Sequence, residues 1–153
     1  MDNVTVRGFA ENVSKKQIQH LANWTFDELG LYRFWKPQIE ICVFLKKNFL
    51  EKTDYWGWMI WEDCYIKPRE FTVEIERSLP EQDLFESLIH EMVHVKQFAQ
   101  GRLKDRGPGF FFEGKHYNSY DPNVNYNKYS KLPWEKEAYS LQRELCHKYM
   151  NEE

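Results

Sequence analysis

The pattern of hydrophobic and polar positions predicts one helix and several strands in the first half of the chain. Apolar residues recur at helical spacing between Ser14 and Gly30, and Gln17 follows Ser14 by three positions, as in a capping box. Gly30 is typical of a helix end. Strand-like runs, either apolar or alternating, lie at 3–8, 39–45, 55–61 and 71–76. The last two runs are expected to pair as antiparallel neighbours.

The second half of the chain changes character and contains a long apolar helix pattern. Ser78 and Glu81 form a second capping-box pair, with Pro80 between them at a tolerated first-turn position. A helix is predicted from there to Gln100, because Gly101 is a natural stop. Its apolar residues form a broad surface, as in an amphipathic helix.

The remaining chain is predicted to contain an irregular segment and a last helix. Residues 102–131 carry several Gly, Pro and aromatic residues, with one short strand expected at 110–112. Irregular segments of this length are usually functional or disordered, and the aromatic residues favour an ordered, functional segment. Pro133 then begins a helix that reaches about Tyr149. We expect a single α+β domain over residues 1–153.

Composition and charge exclude several classes of protein. Of the 153 residues, 42% are hydrophobic and 17% aromatic, which argues against disorder over most of the length. The net charge of -3 gives no strongly basic footprint for nucleic acid. We expect a cytoplasmic protein without membrane contact, because no apolar run approaches about 20 residues and the first residues do not resemble a signal peptide. Cys42, Cys64 and Cys146 form no CxxC motif, which is typical of reduced thiols.

One motif indicates chemistry: residues 90–94 have the sequence His-Glu-Met-Val-His inside the predicted long helix. Residues four apart lie on the same face of a helix, so His90 and His94 can bind one Zn²⁺ ion. Glu91 is rotated by about 100° from His90, which places its carboxylate beside the metal rather than on it. We expect Glu91 to be the general base of a zinc-assisted hydrolysis. The alternative is a pair of surface histidines.

A catalytic zinc ion usually has three protein ligands and one open position, so a third ligand must come from elsewhere. Glutamine at positions 97 and 100 excludes the metzincin pattern, which needs a further histidine soon after the motif. His116 in the aromatic segment is one candidate. Glu135 and Glu137 in the last helix are two more, and they point about 200° apart, so at most one faces the metal. First-turn glutamates are also favoured by the helix dipole, so spacing alone leaves the choice open.

The segment HEMVHVKQFAQG, followed in the last predicted helix by LPWEKEAYSLQREL, resembles the small stand-alone gluzincin-type metallopeptidases of phages and bacteria. The resemblance covers roughly residues 80–145. It implies a zincin-like fold, in which a small, mixed or mostly antiparallel sheet packs on the HExxH helix and on a C-terminal helix that carries the third ligand. Several related groups have Glu-x-x-Ala on that helix. In this chain the pattern selects Glu135, with Ala138 three residues later, and leaves Glu137 as an outer-layer or surface residue.

The resemblance also implies an activity, namely a zinc-dependent peptidase with one catalytic zinc ion and a peptide or protein substrate. The ion is then held by His90, His94 and Glu135. By residue type alone, His116 and Tyr117 are candidates for stabilising the oxyanion of the transition state, with a structural role in their segment as the alternative.

The resemblance further implies that an extended substrate lies along an edge of the sheet, and β-augmentation is a general way to hold a peptide. The strand at 71–76 is the edge we expect. Its Glu74 and Glu76 are predicted to point outwards, where they either favour basic substrate side chains or protect a solvated edge by their charge.

Other functions share parts of these motifs. The SprT-like proteases, which act on DNA-associated proteins, share HExxH but use a third histidine, for which only His116 qualifies here. The acidic balance of the chain counts against DNA binding. The ImmA/IrrE-type peptidases share HExxH and a downstream Glu-x-x-Ala. A catalytically silent zinc-binding interaction protein with a zincin fold is a further alternative, although a purely structural site has no need of Glu91. The substrate and the oligomeric state stay open.

Overall fold

The computed structural model describes residues 3–64, 66–105, 109–118 and 130–152. The elements in these ranges are β1 (Val4–Arg7), α1 (Lys15–Glu28), a 3-10 turn (Leu31–Arg33), β2 (Glu40–Lys46), α2 (Phe49–Thr53), β3 (Gly57–Trp61), β4 (Glu70–Glu76), α3 (Glu81–Ala99), β5 (Leu103–Asp105), β6 (Gly109–Phe112), β7 (Lys115–Asn118) and α4 (Pro133–Glu152). The expected α+β class is confirmed. Within the same ranges, every helix is too short or too polar to cross a membrane.

The larger sheet has four strands in the order β1-β2-β4-β3. Strand β2 is parallel to both β1 and β4, whereas β3 is antiparallel to β4. The predicted antiparallel pairing of the runs 55–61 and 71–76 is confirmed. Of the two expected arrangements, the mixed sheet is confirmed and the mostly antiparallel sheet is wrong, because α1 returns the chain from β1 to β2 in the same direction. The expected edge strand is also wrong: β4 lies inside the sheet, and β1 and β3 are its edge strands.

The core lies on one face of this sheet, which is covered by α1 and α3. Alternate residues of β2 and β4 are buried and stand opposite one another: Ile41 and Phe71, Val43 and Val73, Leu45 and Ile75. The opposite face is only partly covered, and Trp58 and Ile60 of β3 are exposed there. This two-sided pattern explains why the period-2 signal in these strands was visible in the sequence.

The helix ends follow the sequence in part. Ser14 caps α1, because its hydroxyl accepts a hydrogen bond from the backbone N–H of Gln17 at 3.1 Å. Gly30 follows that helix with φ +69°, a left-handed conformation that suits glycine. The second capping box is wrong. The N-cap of α3 is Pro80, which makes no side-chain cap, and the Ser78 hydroxyl donates to Glu76 instead, at 2.8 Å.

Glu76 explains that difference, because its carboxylate is buried and needs donors. Besides the Ser78 hydroxyl, it accepts the backbone N–H of Leu50 at 2.8 Å, at the start of α2. These hydrogen bonds outweigh the effect of burial and hold the pKa of Glu76 below its ordinary value. Glu76 therefore links β4 to α2. The expectation that its side chain points outwards is wrong. Glu74 pairs with Lys46 at 3.1 Å.

The segment predicted as irregular contains a second sheet, in which β5, β6 and β7 form an antiparallel meander. Its strands have only three or four residues, too few to show an alternating pattern. The meander packs on the first turn of α4 through Trp134, whose ring lies 5.2–5.8 Å from the rings of Phe110, Phe112 and Tyr117. Part of the segment, residues 106–108 and 119–129, lies outside the described residues.

Candidate metal centre

His90 and His94 lie one turn apart on α3 and face α4. Helix α3 is buried on most sides, because the larger sheet packs against one face and α4 against another. Both imidazoles are therefore buried within the core, and their Nε2 atoms lie 3.1 Å apart. The alternative of two surface histidines is excluded by this burial.

Glu135 joins the two histidines from the first turn of α4. Its carboxylate is only 3% exposed, and its two oxygens lie 3.0 Å from Nε2 of His90 and 3.2 Å from Nε2 of His94. One turn later, Ala138 is fully buried, and its small side chain lets α4 approach α3 closely. The start of a helix also favours a negative charge such as that of Glu135.

The three side chains bring together donor atoms that could hold a metal ion. Two imidazole nitrogens and a carboxylate oxygen form a common donor set for a catalytic zinc ion. Ligands at the usual zinc distances lie roughly 3.3 Å apart in a tetrahedral arrangement. The two Nε2 atoms lie 3.1 Å apart, close to this value, and each of them lies within 3.2 Å of one of the two Glu135 oxygens. The buried His90–His94–Glu135 group could therefore hold a metal ion.

Two glutamines orient the histidines from behind. The Nδ1 atom of His90 lies 2.6 Å from Oε1 of Gln142, and that of His94 lies 2.7 Å from Oε1 of Gln97. With Nδ1–H donating to these carbonyls, each Nε2 faces Glu135 and is the nitrogen available to a metal ion. A metal-binding histidine typically has such a partner on its other nitrogen. Sequence analysis missed both glutamines, although Gln97 stands three residues after His94 and Gln142 seven residues after Glu135, on the same helical faces.

A third layer connects the site to the smaller sheet. Glu137 accepts a hydrogen bond from Gln97 at 3.0 Å and two from the Arg102 guanidinium, at 3.0 and 2.7 Å. Burial would raise the pKa of Glu137, but the hydrogen bonds from Arg102 and Gln97 outweigh this and lower it. Arg102 also donates to Glu113 in the turn after β6, at 2.6 Å. Glu137 thus lies in an outer layer, pointing away from Glu135.

In the metal-free protein, His94 and Glu135 form a charged pair. Burial disfavours the charge on each side chain, but their mutual attraction and hydrogen bonding are stronger. As a result the pKa of His94 rises to about 9, while that of Glu135 falls well below its ordinary value. A proton therefore occupies the place between the nitrogen and the carboxylate that a metal ion would compete for.

Glu91 borders a cleft that opens beside the cluster. The cleft has a volume of about 300 Å³ and reaches His94, Glu91 and Glu135 at its base. Burial raises the pKa of Glu91, although the charges of both histidines act in the opposite direction. The walls are mostly apolar and come from β3, α3, β5, β6 and the start of α4: Tyr55, Gly57, Trp58, Met59, Trp61, Phe98, Leu103, Asp105, Phe110, Leu132 and Trp134.

The other candidates from the sequence lie apart from the cluster. His116 is exposed on β7, and its ring packs against Phe111 with centroids 5.2 Å apart. Tyr117 packs edge-on against Trp134. Neither His116 nor Tyr117 is among the described residues that line the cleft. A role in stabilising an oxyanion stays a prediction for both.

Comparisons with known proteins do not extend this picture. No protein-family model, no curated protein and no solved structure matches the chain. The function must therefore be argued from the arrangement of the residues themselves.

Proposed function

We propose that this protein is a zinc-dependent peptidase. The observation that carries the proposal is the convergence of His90, His94 and Glu135 in a buried cluster, with Glu91 beside it at the base of an open cleft. A zinc ion held by these three ligands supplies a Lewis acid that lowers the pKa of water and polarises a carbonyl oxygen. A structural zinc site is typically closed by four protein ligands, whereas three ligands beside a cleft leave a position for a reactant.

Glu91 has the role of general base and then of general acid in this proposal. Its carboxylate takes a proton from water as the water oxygen forms a bond to the peptide carbonyl carbon. The same proton then passes to the amide nitrogen as the C–N bond breaks, which gives a carboxylic acid and an amine. The second proton of the water moves from the acid to the amine, so that a carboxylate and an ammonium group are released. No external oxidant or reductant is needed, and Glu91 returns to its starting state.

The shape of the cleft supports an extended peptide substrate. Strand β3 forms one wall and is the edge of the larger sheet, with β4 on its other side. An edge strand offers unpaired backbone groups to a peptide in extended conformation. The apolar walls, including Met59 and Phe110, favour a large apolar substrate side chain next to the bond that is cleaved.

The direct test compares the wild-type protein with Glu91→Gln. Zinc content is measured by native mass spectrometry, and hydrolysis is followed on fluorescein-labelled casein and on a mixed peptide library. We expect the variant to keep zinc and to lose at least about 100-fold in hydrolysis, the usual effect of removing a general base. Glu86→Gln, on the same helix but away from the cleft, is the matched control and should keep both properties.

Each result has a definite meaning. Hydrolysis that persists in Glu91→Gln would refute the role of Glu91. Zinc binding without hydrolysis in the wild type, over the whole library, would favour the catalytically silent zinc site over the peptidase. Absence of zinc from the wild type after reconstitution would overturn the proposal as a whole.

A further inference from the structure

We propose that Gln97 is a positioning residue that locks His94 into the one tautomer able to bind a metal ion, and that Glu137 and Arg102 fix Gln97 in turn. The inference rests on the proposed metal site, but it concerns hydrogen bonds that are already present in the metal-free protein. A peptidase with this network would have a neutral amide, and no carboxylate, as the direct partner of its second histidine.

The first step is the orientation of the Gln97 amide. This side chain is fully buried, and its Nε2 lies 3.0 Å from both the Trp134 carbonyl oxygen and Oε1 of Glu137. A backbone carbonyl can only accept a hydrogen bond. Glu137 can also only accept, because both of its oxygens receive hydrogen bonds from Arg102. The NH₂ group of Gln97 must therefore face these two acceptors, and a flipped amide would place its oxygen against them.

The second step is the tautomer of His94. With the NH₂ group fixed, the carbonyl oxygen of Gln97 faces Nδ1 of His94 at 2.7 Å. A carbonyl oxygen accepts, so Nδ1 must carry the hydrogen. In the neutral imidazole, Nε2 then carries the lone pair, and Nε2 is the atom that lies 3.2 Å from Glu135 and 3.1 Å from Nε2 of His90. The network thus turns the metal-binding nitrogen towards the cluster.

Arg102 makes this arrangement rigid. Its Nη1 and Nη2 atoms each donate to one oxygen of Glu137, a bidentate geometry that fixes the plane of the carboxylate as well as its position. The backbone N–H of Arg102 donates to the backbone carbonyl oxygen of Gln97 at 3.1 Å, and the Arg102 side chain donates to Glu113. Helix α3, helix α4 and the turn after β6 are therefore joined behind His94.

Gln142 offers a matched comparison, because it holds the other histidine without such a network. Its Oε1 lies 2.6 Å from Nδ1 of His90, and the side chain is half-buried on α4. Among the described residues, His90 is the hydrogen-bond partner found for this side chain, so two acceptors do not fix its amide as they fix that of Gln97. Changing Gln97 should therefore disturb the site more than the same change at Gln142.

The test compares Gln97→Met with Gln142→Met. Zinc affinity is measured by competition with a chromophoric chelator, and the tautomers of His90 and His94 are read from long-range ¹H–¹⁵N NMR spectra of the zinc-loaded protein. In the wild type we expect Nδ1–H at both histidines. Gln97→Met should weaken zinc binding by about 10- to 100-fold, as is typical when the partner of a metal-bound histidine is lost. It should also change the Nδ1–H signal of His94, whereas Gln142→Met should have the smaller effect on affinity.

Gln97→Met could be tested for folding by urea unfolding of the variant with a chelator present. A second variant keeps the inference testable if Gln97→Met does not fold. Arg102→Lys keeps the charge near the surface but cannot form the bidentate contact with Glu137. It should weaken zinc binding by a few-fold and change the His94 signals while leaving those of His90 in place.

The outcomes separate this inference from the proposed function. Unchanged zinc affinity and an unchanged His94 Nδ1–H signal in Gln97→Met and in Arg102→Lys would refute the inference, even if the wild type is an active zinc peptidase. Failure of the wild type to bind zinc would refute the proposed function. Slow exchange of the His94 Nδ1–H with solvent in the metal-free wild type, and faster exchange in Gln97→Met, would still show that Gln97 holds this hydrogen.

Discussion

Raising the pH of the metal-free protein should destabilise it, because of the charged pair in the cluster. The pKa of His94 is about 9 in the folded protein, against an ordinary value of 6.5. The folded state therefore keeps a proton on His94 that the unfolded state releases as the pH rises above 6.5. Since the folded pKa is the higher one, this contribution is fully present below pH 6.5 and is lost as the pH rises through 9.

The size of the effect follows from the same pair of values. Between pH 6.5 and pH 9 the free energy of unfolding should fall by roughly 2–3 kcal/mol. This is a large part of the 5–15 kcal/mol typical of a whole domain. Urea unfolding with a chelator present should therefore show a midpoint about 1 M lower at pH 9, for an m-value near 2 kcal/mol/M.

Two controls isolate His94 from other titrating groups. Glu135→Gln removes the carboxylate that holds the proton, so the free energy of unfolding of this variant should depend much less on pH. Burial also raises the pKa of Glu91 and of Cys146, and both residues are the same in the variant and in the wild type. The zinc-loaded wild type should not lose stability over this range, because a bound cation replaces the proton. Equal pH dependence in the wild type and in Glu135→Gln would refute the charged pair.

Three further predictions follow from the structure. Zinc binding at pH 7.5 should release close to one proton from His94. Calorimetry in buffers of different ionisation enthalpy would detect this release as a heat of binding that depends on the buffer. A heat of binding that does not depend on the buffer would contradict the prediction. Met59→Lys should reduce hydrolysis of an apolar peptide by about tenfold or more, because it places a charge in the apolar cleft. Ile60→Lys, on the other face of the same strand, should not reduce it. Equal activity of the two variants would argue against the cleft as the substrate site. Glu76→Ala should cost about 2 kcal/mol in urea unfolding, because it leaves buried donors unpaired, and Glu74→Ala should cost less than about 1 kcal/mol; the reverse order would contradict the assigned role of Glu76.

Local patterns in the sequence were sufficient for most elements but not for how the strands are arranged. Strands β2 and β4 show their buried face in the alternation of apolar residues, so their existence was predictable. The same alternation fits a parallel or an antiparallel neighbour, and an interior or an edge position. The position of β4 inside the sheet depends on its parallel pairing with β2, which no local signal encodes. Similarly, Ser78 matches a capping motif, but its hydroxyl donates to the buried carboxylate of Glu76 two residues earlier.

At the site, the motif predicted the two histidines, and the Glu-x-x-Ala resemblance selected the glutamate that the structure brings to them. Glu135 and Glu137 are both early glutamates of one helix, so spacing alone did not distinguish them. What separates them is Arg102, whose guanidinium binds Glu137 from the far side. Gln97 and Gln142 were missed because glutamine is common on helices, and its hydrogen bond to an imidazole is visible only in the structure.

The central claim is that this cluster is a metal site, and the most direct test is the zinc content per chain by native mass spectrometry. The wild type, Glu135→Ala and a control, Glu144→Ala, would be measured after reconstitution; Glu144 is exposed on the same helix as Glu135. We predict one zinc ion in the wild type and in the control, and much weaker retention in Glu135→Ala. A wild type without zinc, or full retention in Glu135→Ala, would contradict the account.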